Sequence, residues 1–209
     1  MTEPARHAAF IEPDELLRET ICAWKTRVAA RWPNAVYLPH PPHCTLWVGA
    51  VRDASAARAA VESAVAAVAP LTIDRLSPHV FAGDALAKGG QTCAFAAPLS
   101  EPLAALQRAV CEAVRLGGVG ADDEALPAGL RHGPVLASWR RFGFAFAGPH
   151  WIPHFTVAAI PAPPGDALVA EFMNAPAAPA TAVRHVSWWR IEDDSHERMA
   201  ELPLGGRTR

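Results

Sequence analysis

Disulfide chemistry has little to work with in this chain. Its four cysteines, Cys22, Cys44, Cys93 and Cys111, are scattered and include no C-x-x-C pair. That excludes a small cystine framework and favours a reducing compartment. No window of 18 or more residues is continuously apolar, so the sequence offers no candidate membrane-spanning helix. Residues 1–12 also lack the basic stretch followed by an apolar one that marks an export signal. A cytoplasmic protein without a membrane partner is the expectation. Excess positive charge is missing too: 19 Lys and Arg stand against 21 Asp and Glu, a formal net charge of −2. No global field would draw the protein onto long nucleic acid, and a small or short anionic substrate held by local groups fits better. What the chain has is proline, 20 residues of it, and a 51% hydrophobic, 19% charged composition. This is a globular profile with ample length for a core in one domain or two small lobes.

The pattern along the chain predicts the same order of elements twice. Ala8-Ala9-Phe10-Ile11 reads as a strand. Pro13-Asp14 opens a helix whose apolar positions, Leu17, Ile21, Trp24 and Val28, recur at helical spacing to about Arg31. A second helix is expected over 53–69, capped by Asp53 or Ser55, followed by strands at Leu71-Thr72-Ile73 and Val80-Phe81-Ala82. A turn at Lys88-Gly89-Gly90 then leads into the strand Thr92–Ala96. After Pro98 the order restarts with a helix capped by Ser100. A glycine-rich, irregular insert over 117–149 contains the acidic run Asp122-Asp123-Glu124 and a strand-like Phe142–Phe146. A helix from Asp166 to Asn174, closing strands at Val183–Ile191 and Arg198–Leu204, and a frayed tail from Gly205 complete the expectation.

The two halves share a motif. Pro42-His43-Cys44-Thr45-Leu46 recurs as Pro153-His154-Phe155-Thr156-Val157, and each copy runs on into an apolar segment. Both read as buried strands entered from a loop, the first over 43–49 and the second over 154–160. Strand alternation puts His43 and Thr45 on one face, and likewise His154 and Thr156, with about 6.6 Å between alternate residues. An imidazole and a hydroxyl so placed can address different oxygens of one phosphate. Displacement at phosphorus runs in line, with a base on the attacking side and an acid on the leaving side. Two histidines from related lobes supply both, because imidazole titrates near neutrality. Threonine hydroxyls can donate to the oxygens where charge grows.

These paired motifs, in this doubled order, resemble the two-histidine (2H) phosphoesterase superfamily. That group includes LigT-like bacterial 2′-5′ RNA ligases and the cyclic nucleotide phosphodiesterases of plants and yeast. The resemblance implies an α+β, bilobal duplicated fold: two pseudo-twofold-related lobes of antiparallel sheet, helices outside, and a central cleft. It implies one intertwined domain over 1–209 that acts on 2′,3′-cyclic phosphates or 2′-5′ linkages without cofactor or metal. Carried over by motif, His43 and His154 are the catalytic pair, with His154 the base toward water and His43 the acid. Thr45 and Thr156 bind phosphate, and the partner is a nucleotide or short RNA end. The first copy departs from the pattern in carrying Cys44 where a plain hydrophobe is expected; facing the core, it is harmless.

Plainer readings compete at each position. A metal site could be read into His40-x-x-His43 and His150-x-x-x-His154. However, Pro41-Pro42 holds the first pair about 9 Å apart along a polyproline-like path, and extended chain separates the second by about 13 Å. No metal is expected. Cys44 points away from His43 and is not the nucleophile. His40, His150 and Trp151 stand at the mouths of the motif strands, where they could meet sugar or base or simply pack the loops. Arg131, Arg140 and Arg141 could bring charge to a second phosphate, or lie on a solvated loop face. One ring of Trp188-Trp189 should enter the core and the other face outward. The insert, immediately before the second motif, is expected to shape substrate choice. A module of the same fold that grips a phosphate ester or RNA end without turning it over is the alternative to an enzyme.

Overall fold

Aspartates set the starts of the first two helices. In the computed structural model, which describes residues 6–192 and 195–205, strand β1 (Arg6–Ile11) runs into Glu12-Pro13. The Asp14 carboxylate then accepts from Leu17 N at 3.3 Å and starts α1 (Glu15–Arg31). The predicted stripe of Leu17, Ile21, Trp24 and Val28 is buried, and so is Lys25 between them. After β2 (Cys44–Val51), Asp53 accepts from Ala56 N at 2.9 Å to cap α2 (Ala54–Val65). The chain continues through β3 (Leu71–Ile73), β4 (Ser77–Asp84) and β5 (Gly90–Ala96). The second half comprises α3 (Glu101–Val114), β6 (Val119–Gly120), α4 (Gly133–Phe142), β7 (His154–Ile160), α5 (Ala167–Met173), β8 (Thr181–Val183), β9 (His185–Glu192) and β10 (Ser195–Pro203). Helix, motif strand, helix, short strand, hairpin therefore occurs in both halves.

The halves exchange their parts. One sheet runs β10-β9-β1-β2-β7-β5-β4, with β6 added beside β2, and β3 pairs with β8 in a second, two-stranded sheet. The first half's hairpin, β4–β5, docks on the second half's motif strand β7. The second half's hairpin, β9–β10, reaches β2 through β1. The helices cross over as well: α3 packs against β2, and α1 packs against β7. Beneath the sheet, Cys44, Leu46, Trp47, Phe155, Val157 and Trp188 lie in one core. Fully burying a side chain of this size stabilises the fold by about 1.5–3 kcal/mol. Trp47 and Trp188 stack with their planes 2° apart.

Several expectations change. Ser100 stands at the start of α3, but its side chain makes no capping bond. Phe142–Phe146 is not a strand. Trp139-Arg140-Arg141 belong to α4, which ends where Gly143 takes a left-handed φ of 61° and its N–H closes on Trp139 O. The apolar run that follows folds into the core, where Phe144, Ala145 and Ala147 are all buried. The insert is thus less irregular than its glycines suggest. In the closing segment Val183 belongs to β8, and the hairpin runs from His185 to Pro203. The expectation of a frayed tail falls mainly on residues 206–209, outside the described residues. No helix among the described residues is long and apolar enough to cross a membrane.

Candidate active site at the junction of the motif strands

Both motifs open a strand, and the two strands meet at their first residues. β2 and β7 are paired at a single point, Cys44 opposite Phe155. Both of these side chains are fully buried on the core face. Alternation then turns His43, Thr45, His154 and Thr156 to the opposite face, where all four are half-buried. Thr45 stands across from His154 and His43 across from Thr156. The two histidines are diagonal neighbours, which an undistorted antiparallel pair separates by roughly 7–8 Å.

Each motif also carries a bulge at the same place. Phe10 pairs with Thr45 but Ala9 with Trp47, leaving Leu46 as an extra residue. Ala94 pairs with Thr156 but Cys93 with Ala158, leaving Val157 extra. A bulge bends its strand and strengthens the twist. Here it falls just past the threonine in both copies, so β2 and β7 part immediately beyond the point where they touch. The aliphatic residue that ends each motif is the bulged one.

The imidazoles are held alike. His43 Nδ1–H donates to Pro41 O at 2.7 Å, and His154 Nδ1–H donates to Ile152 O at 2.7 Å. A carbonyl only accepts, so this bond selects the Nδ1–H tautomer and leaves the Nε2 lone pair directed away from the chain. The prolines at 41 and 42, and at 153, stiffen the turns that present those carbonyls.

Rings from other strands surround each histidine. Phe10 of β1 stacks on His43 at 3.8 Å between centroids. His196 of β10 lies 6.4 Å from His43 and 4.3 Å from His40. His40 also meets the edge of Tyr37. On the other side Phe81 of β4 lies 4.9 Å from His154, and His79 lies 4.5 Å from Phe81. Trp189 is the outward ring of its pair. It lies 6.2 Å from Phe10 on the site face, while Trp188 is buried.

The two imidazoles differ electrically. Dense packing holds His43 far below the ordinary histidine range, at about 3; its bond to Pro41 opposes this, and His40, His196 and Lys25 add like-charge repulsion. His154 is also lowered by burial and by repulsion from His79, while its bond to Ile152 and the charge of Asp84 favour its charged form. Asp84 is held by Thr92, whose hydroxyl donates to it at 2.6 Å. Burial pushes the Cys44 thiol up to about 12, so it carries no reactive thiolate near neutrality.

The other residues singled out in the sequence divide. His40 joins the site. Trp151 does not face it: the ring is 3% exposed and its indole N–H donates to Thr45 O at 3.0 Å, pinning β2 from below. His150 lies against Ser138 of α4 at 3.5 Å. Arg131 donates to Leu126 O and Glu124 O, and Arg140 pairs with Asp123 at 2.6 Å. These three therefore brace the insert itself. The insert docks on the far end of β2: β6 pairs at Ala50 and Val51, and Trp47 Nε1–H donates to Phe142 O. The β6 pairing is more than about 20 Å along the strand from His43, and Trp47 about 13 Å. Phe10, His79, Phe81 and His196 do not stand out in the sequence. Their only signal is an aromatic or histidine on alternate strand positions, with no local cue to which strand lies beside the motif. Among the described residues no group of three His, Cys, Asp or Glu is placed to hold a metal ion.

A two-lobed antiparallel sheet with a histidine–threonine pair from each lobe on one face defines a class of phosphoesterase folds. The sequence matches the profile of the 2′-5′ RNA ligase superfamily over residues 13–195. The chain belongs to this family, the two-histidine phosphoesterases. Solved structures share the fold. That of TT0787 from Thermus thermophilus is 17% identical, with a TM-score of 0.59, covering 97% of this chain and 100% of that one. That of E. coli LigT complexed with 3′-AMP is 14% identical, with a TM-score of 0.58, covering 97% and 99%. E. coli LigT complexed with phosphate is 13% identical over the same coverage, with a TM-score of 0.55. No curated protein matches the chain.

Proposed function

We propose that this protein is a phosphodiesterase working without a metal ion, which opens a 2′,3′-cyclic phosphate or cleaves a 2′-5′ or related diester on a nucleotide or short RNA end. His43 and His154 are its acid–base pair, Thr45 and Thr156 its donors to the non-bridging oxygens, and a reducing, cytoplasmic setting suits its buried thiols. The observation that carries this reading is the Cys44–Phe155 bridge, which turns both pairs to one face. Family membership supports phosphate-ester chemistry. E. coli LigT, solved with 3′-AMP and with phosphate, supports a nucleotide or other phosphate-ester substrate.

The reaction needs one neutral and one charged imidazole. The neutral ring takes a proton from water as its oxygen attacks phosphorus. The charged ring gives a proton to the departing ribose oxygen, which completes the proton balance. The environments favour His43 as the base and His154 as the acid, the reverse of what the resemblance implies. His43 faces three groups that repel a proton, His40, His196 and Lys25, whereas His154 faces one that repels it, His79, and one that supports it, Asp84. A bound phosphodiester anion would raise both affinities and charge His154 first. His40 stands where it can contact the substrate near His43. Trp151 positions Thr45, while His150, Arg131 and Arg140 act on the insert.

The test is a panel of 2′,3′-cyclic nucleotides, 2′-5′ dinucleotides and other phosphodiesters, assayed with chelator present. Turnover of at least one class is expected, with His43→Ala and His154→Ala each lowering it by about 10²–10⁴-fold while the fold persists. Full activity in either variant, or activity lost to chelator and restored by zinc, would sink the reading.

A further inference from the structure

Lys25 is a charged residue in the apolar stripe of α1, 9% exposed among Leu17, Ile21, Trp24 and Val28. Burying an ammonium is costly unless it is bonded. Its Nζ donates to Tyr37 O at 2.6 Å and to Leu38 O at 3.3 Å. Those carbonyls belong to a strained turn. Tyr37 has a φ of 70°, in the left-handed region that a bulky side chain rarely occupies. Strain of this kind persists where surrounding contacts hold it, and it gathers at functional sites. From this turn the chain runs Leu38-Pro39-His40-Pro41-Pro42-His43, with three prolines in the six residues after Tyr37. That stretch has little freedom, so the attitude of the turn fixes the Pro41 carbonyl on which His43 Nδ1–H bonds.

We propose that Lys25 is a positioning residue for the first histidine–threonine pair: its ammonium clamps the left-handed turn at Tyr37-Leu38, and through the proline run it sets the tautomer and orientation of His43. The proposal rests on His43 being one of the acid–base pair. A structural prop could have been built from any buried donor. A cation here does more, because its charge reaches the imidazole.

The groups around this ammonium are few. Cys22, one turn earlier on α1, favours its charged form, and His43 beyond the turn is repelled by it. His43 also faces His40 on the same loop and His196 from β10. β7, on which α1 packs, carries His154 alone as a titratable group. Glu171 and Asp166, at α5, are taken by Arg27 and Arg31 of α1. Burial lowers Lys25 to about 8. The clamp therefore loses its charge, and with it the strength of its two bonds, as pH rises through that value.

The test reads His43 directly in the free protein, by nitrogen NMR of labelled histidine with no substrate. In the wild type, the His43 ring signals should show an inflection near pH 8, far from their own titration. Lys25→Met keeps the stem and removes the ammonium; it should lack the inflection and titrate His43 at a higher pH than the wild type does. Where substrate is turned over, Lys25→Met should lower kcat at least tenfold with KM within threefold, and lose the alkaline limb near pH 8. Tyr37→Gly, which takes the left-handed turn without strain, should shrink that loss at least threefold when combined with it. No inflection in the wild type would overturn the proposal even if the variant failed to fold, and so would an unmoved His43 in Lys25→Met. Inflection and shift without turnover of any diester would uphold the Lys25 clamp and remove the catalytic reading instead.

Discussion

His43 is the residue whose chemistry is furthest from its ordinary behaviour, and that has a consequence for stability. Its folded affinity for a proton is depressed to about 3, whereas the unfolded chain returns it to the usual histidine value. The unfolded state therefore binds more protons between those limits, and stability falls as pH drops through them. The contribution is complete above about pH 6.5 and fades toward the folded value. The ring remains partly open to the cleft, so solvent moderates the effect. His43→Asn removes the titration. Its melting temperature should fall less than that of the wild type between pH 7.5 and pH 4.5, by a margin of about 3 °C or more, on the scale of 2–4 °C per kcal/mol for a chain of this size. Scanning calorimetry at the two pH values decides this. Equal losses in both proteins would mean that His43 does not resist protonation. The motif residues were readable in sequence because period-two alternation is local: His43 with Thr45, and His154 with Thr156, need only their own strand. Lys25 was not readable as anything but a polar interruption of an apolar stripe, since its partners, Tyr37 O and Leu38 O, lie on a turn whose shape nothing nearby announces.

At the level of elements, what the sequence withheld was register. The helix starts at Asp14 and Asp53, the β4–β5 hairpin and both motif strands follow from caps, turn residues and periodicity. Phe10 under His43 and Phe81 beside His154 follow only from which strands pair and where the bulges fall, and pairing is long-range information. The same gap explains Phe142–Phe146. An alternating aromatic run reads as a strand, but Gly143 ends a helix there, and Phe144 is buried and Phe142 and Phe146 half-buried without a sheet neighbour. The insert shows how an element can be fixed at a distance from the site. A Cβ at Gly49 of β2 would come within 2.8 Å of Gly143 O and 2.9 Å of Trp47 Cζ2. The first contact is backbone and cannot swing aside. Gly49→Ala should therefore force β2 and the turn after α4 apart and destabilise the protein by about 1–3 kcal/mol. Activity per folded molecule should stay within about twofold, because the clash lies about 20 Å along the strand from His43. Thermal melts and turnover corrected for folded fraction check both parts. Turnover lost at full stability would show that the insert end of β2 is coupled to the catalytic end.

For the molecule as a whole, the exchange of hairpins and helices decides how it folds. β5 finds its partner in β7, β9 finds its partner in β1, and β3 needs β8. Helix α1 packs on the second half's motif strand and α3 on the first half's. Each half thus carries the covering pieces of the other, and a half alone would leave β5 or β9 as an unpaired apolar edge. Such edges invite aggregation rather than folding. The site has the same dependence, since its two histidine–threonine pairs are aligned by contacts between halves, the Cys44–Phe155 bridge and the Trp151 bond to Thr45 O. Cutting the chain in the exposed segment between β5 and α3 should give fragments 1–98 and 99–209, neither with a cooperative melt nor with the near-ultraviolet signal of ordered tryptophan. Mixing them from denaturant should restore both signals, together with the depressed titration of His43, because Trp47 and Trp188 stack only when both fragments are present. A fragment that melts cooperatively alone would mean that one lobe is self-sufficient, and that the exchange is decoration on two independent domains.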